Sequence, residues 1–196
     1  MPSRALAAAT ALALAASLSG CLHFGGKVPD QLYTLTAARQ AAAGATAQGT
    51  ATTALAVLEP GTGQRLGVTR IPVQVDPATV AYVKNATWVE KPSRLFQRLV
   101  SETIRARGSR LVVGENDLQF AAATKLTGQL TEFGYDAPTG SAVVRYDAVL
   151  QAPDGQIRER RFEATVPGIA ATAGAVAGAL NTAANQVAGE VADWVG

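Results

Sequence analysis

The chain has a single cysteine, Cys21, and its position constrains the fold more than any other feature. It follows Leu18, Ser19 and Gly20 at the end of an alanine-rich apolar run that begins just after Arg4. A basic residue, a short apolar segment and small residues at the cleavage position are the parts of a secretory signal peptide. The four residues that end at Cys21 also match a bacterial lipobox, in which Leu18, Ser19 and Gly20 are recognised by the signal peptidase. We therefore predict that residues 1–20 are a signal peptide and that Cys21 begins the mature chain.

Lipid attachment at Cys21 would fix the mature chain on a membrane. A thioether-linked diacylglyceryl group and an N-acyl group such as palmitate supply more than the roughly two acyl chains that stable anchoring takes. The apolar run itself is too short to span a bilayer. Leu22 stands where an aspartate favours inner-membrane retention in similar lipoproteins, so the sequence predicts the periplasmic face of the outer membrane. A chance cysteine after an ordinary signal peptide is the alternative.

An acylated Cys21 leaves no thiol for a disulfide, so the fold depends on its hydrophobic core. The 17 basic and 15 acidic side chains are dispersed and nearly balanced, which does not fit a nucleic-acid-binding protein. His23 is the only histidine and lies beside the anchor, which excludes His-based catalytic triads and His/Cys zinc sites. We predict no catalytic residue, no metal and no cofactor apart from the covalent lipid.

Composition divides the mature chain into a tether and one folded domain. Residues 21–31 contain two glycines and a proline, which predicts a lipidated tether without helix or strand. Residues 32–196 are enough for one domain with a core. Within that domain, residues 37–53 are low-complexity sequence without an apolar stripe. They predict a flexible loop, with a weak alanine-rich helix as the alternative.

Short runs of β-forming residues predict several strands in the first half of the domain. Residues 31–35 form the first such run, and residues 54–58 are an apolar run that ends at a turn. Residues 70–75 alternate between apolar and polar side chains, and residues 80–90 contain two aromatic residues. Pro72 lacks a backbone N–H, so it favours an edge position or a bulge for its strand.

Two helices are predicted from apolar residues at helical spacing. The first covers residues 92–107, where Pro92 suits the first helical position and Gly108 suits the C-terminal cap. The second covers residues 170–195, which are rich in alanine and glycine. Trp194, near the end of the second helix, is predicted to anchor that helix in the core.

The second half of the chain predicts an antiparallel meander. After a short apolar strand at residues 111–113, three longer strands follow at residues 124–135, 141–152 and 156–166, joined by turns. The middle strand alternates most regularly, with its apolar residues on one face. That face comprises Ala142, Val144, Tyr146, Ala148 and Leu150. The fold class is therefore α+β: a mostly antiparallel sheet with a C-terminal three-stranded meander, packed by two main helices.

The order of these segments resembles that of a known lipoprotein family. The segments that carry the resemblance are the lipobox, Tyr33-Thr34-Leu35, Arg70-Ile71, Tyr82, Trp88, Leu95-Phe96-Gln97-Arg98-Leu99, Gly128-Gln129-Leu130-Thr131-Glu132-Phe133, Phe162-Glu163-Ala164 and Asp193-Trp194-Val195. Together they resemble the ABC-type transport auxiliary lipoproteins, the PqiC-like family. The resemblance covers nearly the whole mature chain and rests on the ordered set, since no single motif is decisive.

The resemblance implies a non-enzymatic role in transport between membranes. Members of that family accompany MCE-domain systems, in which an ABC transporter or a related inner-membrane protein works with a periplasm-spanning assembly. The implied partners are therefore an MCE-domain protein and its transporter, and the implied cargo is phospholipid or another apolar molecule. Tyr82 and Trp88 are the candidate partner-interface residues, with burial under the first helix as the alternative for both. Homo-oligomerisation is also expected from the resemblance.

Two other functions remain open from the sequence. The first is a lipoprotein partner of the outer-membrane barrel that assembles lipopolysaccharide, which is also a small α+β domain on an acylated cysteine. The second is an enzyme that uses carboxylates, for which Asp136 and Asp147 lie on neighbouring predicted strands. Alternation alone does not show that these two carboxylates meet in a cleft.

Overall fold

The computed structural model describes residues 31–108, 110–114 and 122–196. Contacts among the described residues gather Gln31–Gly196 into one compact unit. The predicted signal peptide, the predicted lipobox with Cys21, and most of the predicted tether lie outside the described residues, so they stay predictions.

Eight strands and two helices make up the regular structure of the described residues. The strands are β1 (Leu55–Val57), β2 (Gly61–Thr62), β3 (Arg70–Asp76), β4 (Thr79–Thr87), β5 (Val112–Val113), β6 (Thr124–Asp136), β7 (Ser141–Gln151) and β8 (Ile157–Val166). The helices are α1 (Pro92–Arg105), which follows β4, and α2 (Ala173–Val195), which ends the chain. A single 3₁₀ turn, Gln64–Leu66, precedes β3.

Strand β6 organises the sheet because it is long enough to pair with different strands along its length. On one side it pairs antiparallel with β7 from Lys125 to Asp136, and β7 pairs antiparallel with β8. On its other side it pairs in parallel with β1, β2 and β3 in turn. Strand β4 then pairs antiparallel with β3, and β5 pairs in parallel with β1. Strands β4 and β8 are therefore long edge strands at opposite sides of the sheet.

The core lies between one face of this sheet and the two helices. The predicted apolar face of β7 is buried in full, and its Tyr146 ring meets the Phe96 ring of α1 at 5.1 Å. The Phe162 ring of β8, which lies opposite Tyr146, meets the Trp194 ring of α2 at 5.6 Å. Both helices therefore cover the same face. Burial raises the pKa of Tyr146, whose hydroxyl donates a hydrogen bond to the Thr127 carbonyl oxygen at 2.5 Å.

The structure confirms the α+β class, the meander and both helices. Helix α1 begins at Pro92, as predicted, and ends two residues before the predicted boundary. Gly108 follows it with a φ of 67°, a conformation that glycine adopts without strain. The ladders within the meander and between β3 and β4 are antiparallel. The short parallel pairings of β6 were not expected from the sequence.

Two predictions for the first half of the domain need correction. Residues 31–35 do not form a strand; Tyr33 makes one isolated bridge with Trp88. Strand β3 is not at an edge, because it pairs with both β4 and β6. The bulge alternative is correct for Pro72, since the register of β3 against β4 shifts between Arg70 and Pro72. The irregularity accommodates the missing N–H of the proline within an interior strand.

The low-complexity residues 37–53 contain neither a regular helix nor a strand. Backbone amides hold this segment to both helices. The Ala38 N–H donates to the Asn185 side chain of α2 at 2.7 Å, and the Ala41 N–H donates to the Glu102 carboxylate of α1 at 2.7 Å. The segment is thus a loop that crosses the helical layer, with hydrogen bonds that fix its first part.

Candidate partner-binding surfaces

Trp88, one of the two predicted interface residues, lies in the core. Its side chain is 1% exposed and its ring meets the rings of Tyr33 and Phe133 edge to face, at 6.4 and 5.7 Å. Its backbone N–H donates to the Thr69 carbonyl oxygen at 2.7 Å. Trp88 is therefore buried, against Tyr33 and Phe133, and its ring offers no surface to a partner in this structure.

Tyr82, the other predicted interface residue, stays at the surface on edge strand β4. It is half-buried, and the guanidinium carbon of Arg70 lies 4.2 Å from the centre of its ring. Beside it, Val73, Lys84 and Tyr135 contribute to an open groove of about 440 Å³ between this part of the sheet and the start of α2. Tyr82 therefore remains a candidate contact for a partner, held in place by a cation–π interaction.

The hairpin of β3 and β4 exposes apolar side chains next to this groove. Val75 is 43% exposed and Val80 is 41% exposed, near the turn that joins the two strands. At the other end of β4, Tyr33 covers the edge: its N–H donates to the Thr87 carbonyl oxygen at 2.9 Å and its carbonyl accepts from Val89 N–H at 2.8 Å. The part of β4 that Tyr33 does not bridge therefore carries Val80 and Tyr82, and Val75 lies across the hairpin on β3.

The opposite edge of the sheet is charged, and its outward face is neutralised by ion pairs. Arg161 of β8 donates two hydrogen bonds to the Asp147 carboxylate of β7, at 2.6 and 2.8 Å. Glu163 of β8 lies 2.5 Å from Arg145, which also lies 3.7 Å from Glu132 of β6. The hydrogen bond from Arg161 lowers the pKa of Asp147, and the hydrogen bond to Glu163 raises the pKa of Arg145. These pairs tie the outer faces of three neighbouring strands together.

A small cavity of about 200 Å³ opens on the same outer face. Arg65 lines it and bonds to Glu132 at 2.5 Å, to the Gln74 side chain at 3.0 Å and to the Thr131 carbonyl oxygen at 2.7 Å. Groups of the same chain therefore accept the hydrogen bonds of the Arg65 guanidinium. Arg65 joins the 3₁₀ turn to β6, so we assign this cavity a structural role.

The helix-facing side of β8 carries two arginines without a carboxylate partner among the described residues. The guanidinium carbon of Arg158 lies 5.5 Å from the centre of the Trp194 ring, and that of Arg160 lies 4.8 Å from the Phe162 ring. Trp194 is half-buried, so it packs on the core as predicted and also meets Arg158 at the surface. Sequence reasoning missed this pair, although arginines at alternate positions leading into the buried Phe162 are a readable signal.

The two carboxylates considered for catalysis are not brought together. Asp136 ends β6 and accepts a hydrogen bond from the Thr139 hydroxyl at 2.5 Å, opposite Ser141 of β7. Asp147 lies six residues further along β7 than Ser141, about 20 Å away at the rise of a strand, and is paired with Arg161.

Among the residues that the structure describes, no group of three metal-ligating side chains is present. Within that same part of the chain, neither helix combines the length and apolarity that a membrane span requires.

Comparison with solved structures shows that the fold occurs in other proteins. The chain is similar to the crystal structure of protein XCC0632 from Xanthomonas campestris, with a TM-score of 0.70 and 22% identity, covering 84% of this chain and 94% of that one. A crystal structure of an uncharacterized protein gives a TM-score of 0.63 at 12% identity, covering 85% and 100% of the two chains. At these identities the likeness concerns the fold alone. A comparison with curated proteins gives no match.

The family comparison covers the folded domain from Tyr33, the residue that bridges to Trp88, to Ala192 in the last turn of α2. Over residues 33–192 the chain matches the family model described as the ABC-type transport auxiliary lipoprotein component. The match includes both edge strands, the whole meander, helix α1 and all but the last three residues of α2. The chain therefore belongs to the ABC-type transport auxiliary lipoprotein family.

Proposed function

We propose that the chain is the lipid-anchored, non-catalytic auxiliary component of an ABC/MCE-type system that moves lipids or other apolar molecules between membranes. The observation that carries the proposal is the family match over residues 33–192, which begins shortly after the lipobox and tether. The family description names an auxiliary role in transport and no reaction. An auxiliary component acts by positioning, so its working parts are its anchor and its partner-binding surface.

The anchor in this proposal is Cys21, acylated at the periplasmic face of the outer membrane. Leu18, Ser19 and Gly20 would direct cleavage before it, and Leu22 would permit transfer to the outer membrane. The partner surface would include Tyr82 on the β4 edge, where exposed valines and a groove lie beside an aromatic ring. Aromatic side chains at such positions often contribute most to binding energy.

Metabolic labelling and fractionation test the anchor. We expect palmitate to label the wild-type chain and the label to follow outer-membrane fractions in a density gradient. A Cys21→Ala variant should carry no label and leave the membrane fraction. Label in inner-membrane fractions would contradict the sorting predicted from Leu22, and an unlabelled wild-type chain would contradict the lipobox.

A native pull-down tests the partner. The wild-type chain with a C-terminal tag would be purified from detergent-solubilised membranes, and co-purifying proteins and lipids would be identified by mass spectrometry. Recovery of an MCE-domain protein with transporter subunits supports the proposal, and native mass spectrometry of the same sample reports homo-oligomers. A Tyr82→Ala variant should recover less of the MCE-domain protein, with Lys91→Ala as a surface control. Recovery of a large barrel with lipopolysaccharide, and of no MCE-domain protein, would overturn the proposal.

A further inference from the structure

We propose that the helix-facing edge of β8 is a second docking surface, which binds an acidic, extended segment of a partner protein. We call this surface the arginine–aromatic edge and define it by Arg158, Arg160, Phe162 and Trp194. It lies at the opposite side of the sheet from Tyr82 and the exposed valines of β4. The proposal deepens the adaptor role proposed above, since it names the chemistry of one partner contact.

The two arginines are held in place but keep their hydrogen-bonding capacity. Arg158 lies over Trp194 at 5.5 Å and Arg160 lies over Phe162 at 4.8 Å, and the two aromatic rings meet each other at 5.6 Å. Within the described part of the chain, neither guanidinium makes an ion pair with a carboxylate. Contact with an aromatic face restricts a guanidinium without using its N–H donors. Donors arranged in this way suit bidentate binding of carboxylates.

In the described part of the chain, the ion pairs of β8 all lie on its outward side. On its outward side, Arg161 is paired with Asp147 and Glu163 is paired with Arg145. Asp193 of α2, the neighbour of Trp194 in the chain, is engaged by Arg107 from the turn after α1, and this hydrogen bond lowers the pKa of Asp193. A partner that approaches along the helix-facing side therefore meets two arginines that have no ion-pair partner among the described residues. Complementarity requires that partner to be acidic.

The open backbone edge of β8 requires in addition that the partner segment be extended. In the described residues, β8 pairs only with β7, so its outer edge presents backbone donors and acceptors along ten residues. Such an edge accepts an added strand, and alternate side chains of that strand face the same side of the sheet. Acidic residues at every second position would therefore meet Arg158 and Arg160. The 69% exposed Ile157 offers an apolar contact at one end.

The position of this edge favours a protein partner over the membrane. The chain that leads to Cys21 enters the described fold at Gln31, and the Tyr33 hydroxyl lies beside Gly174 in the first turn of α2. Trp194 lies in the last turn of α2, about 30 Å from Gly174 at the rise of an α-helix. If Cys21 carries the anchor, as proposed above, the arginine–aromatic edge lies at the end of α2 remote from the point where the tether leaves. It is then available to a partner in the periplasm.

Peptide binding to the acylated mature chain in detergent micelles tests the proposal. The probe is a fluorescent peptide of about nine residues in which glutamate alternates with valine, a pattern that favours a strand with one acidic face. We expect its anisotropy to rise on binding. An Arg158→Glu/Arg160→Glu variant should weaken binding by about tenfold or more. An Arg39→Glu/Lys91→Glu variant, with the same change in net charge at exposed positions, should stay within about twofold of wild type.

Three further probes give outcomes that overturn the proposal. A peptide with lysine in place of glutamate should not bind, and one with proline in place of valine should bind much more weakly. Equal binding of the proline peptide would show charge attraction without strand addition. Binding to phosphatidylglycerol vesicles, with none to the acidic peptide, would show a membrane-contact surface instead. The absence of binding to every probe also overturns the proposal, and none of these results bears on the anchor or on the pull-down that tests the adaptor role.

Discussion

The two long edges of the sheet differ in charge and in regularity. Strand β8 carries five charged side chains and pairs with β7 without a break over ten residues. Strand β4 carries one, Lys84, and its pairing with β3 is interrupted by two register shifts. It also contains Asn85 with a φ of 55°, in the left-handed region that asparagine tolerates better than most residues. The β8 edge is regularly paired and charged, whereas the β4 edge is irregular and exposes apolar side chains.

This difference shows two ways of protecting an edge strand from unwanted pairing. Charged side chains make random strand addition unfavourable on β8 and leave the edge open to a strand of complementary charge. On β4, bulges disturb the row of backbone groups, and the bridge to Tyr33 closes one end of it. The two edges are therefore suited to different contacts: strand addition at β8 and side-chain contacts at β4.

The largest expected effect compares two aromatic residues of the β4 region. Trp88→Ala should lower the free energy of unfolding by about 3–5 kcal/mol, because it leaves a cavity between Tyr33 and Phe133 in the core. Tyr82→Ala removes a half-buried ring and should cost about 1 kcal/mol. Urea unfolding of both variants measures the difference. Equal losses would mean that Tyr82 supports the fold as much as Trp88 does, and would weaken its assignment to a partner surface.

The next largest losses of stability are expected at two glycines of β6, one packed against β7 and one packed against β3. At Gly128, which has a φ of 145°, an added Cβ would lie 2.0 Å from the Asp147 carbonyl oxygen of β7. At Gly134, an added Cβ would lie 2.6 Å from the Pro72 carbonyl oxygen of β3. Gly128→Ala should therefore cost about 3 kcal/mol, from both strain and the clash. Gly134→Ala should cost less, because it meets only the clash.

Hydrogen exchange locates the damage in these two glycine variants. We expect Gly128→Ala to lower protection mainly in β7 and β8, and Gly134→Ala to lower it mainly in β3 and β4. Equal loss of protection across the whole sheet in both variants would show that the two edges unfold as one unit with β6.

The meander could be predicted from the sequence because its three strands are long and its middle strand, β7, alternates regularly between apolar and polar residues. The buried series from Ala142 to Leu150 fixes which face of β7 meets the helices, and short turns fix the order of the strands. Helix α1 was equally readable, since Pro92 and Gly108 mark its ends. In these segments local pattern and tertiary packing favour the same structure, which is why prediction succeeds.

The other half of the sheet depends on contacts between residues far apart in sequence. Strands β1 and β3 pair in parallel with β6, and nothing in their own short runs specifies a parallel partner. Likewise, the contact of Tyr33 with Trp88 crosses more than fifty positions of the chain. The candidate surfaces also divide into one that local sequence indicates and one that depends on long-range contacts. Tyr82 was readable as an aromatic residue outside the clearest core pattern, whereas the meeting of Arg158 with Trp194 required the packing of α2 on β8.

The ion pair between Asp147 and Arg161 predicts that the stability difference between wild type and an Asp147→Asn variant depends on pH. Because Arg161 lowers the pKa of Asp147 in the folded chain, the stability that this carboxylate contributes is present above its unfolded pKa, near the ordinary value of 3.8, and is lost as the pH falls below it. The urea midpoint of Asp147→Asn should therefore lie below that of wild type at about pH 6, and the two should converge as the pH falls through the lowered pKa of Asp147 in the folded chain. Asp154→Asn, in the turn before β8, controls for the change in net charge. A difference that persists at low pH would assign the effect to packing.

The smallest expected effect on stability gives the sharpest test of the difference between the edges. Val75→Lys/Val80→Lys places charges on exposed positions of the β3–β4 hairpin and should change the free energy of unfolding by no more than about 0.5 kcal/mol. Because exposed apolar side chains on an irregular edge favour contacts between copies, the variant should lower the mass observed by sedimentation at high concentration. Ile157→Lys is the matched change on β8, where neighbouring charges already oppose self-association, and it should have little effect. The reverse result, with Ile157→Lys reducing association and the valine variant leaving it unchanged, would make β8 the self-associating edge and β4 the protected one.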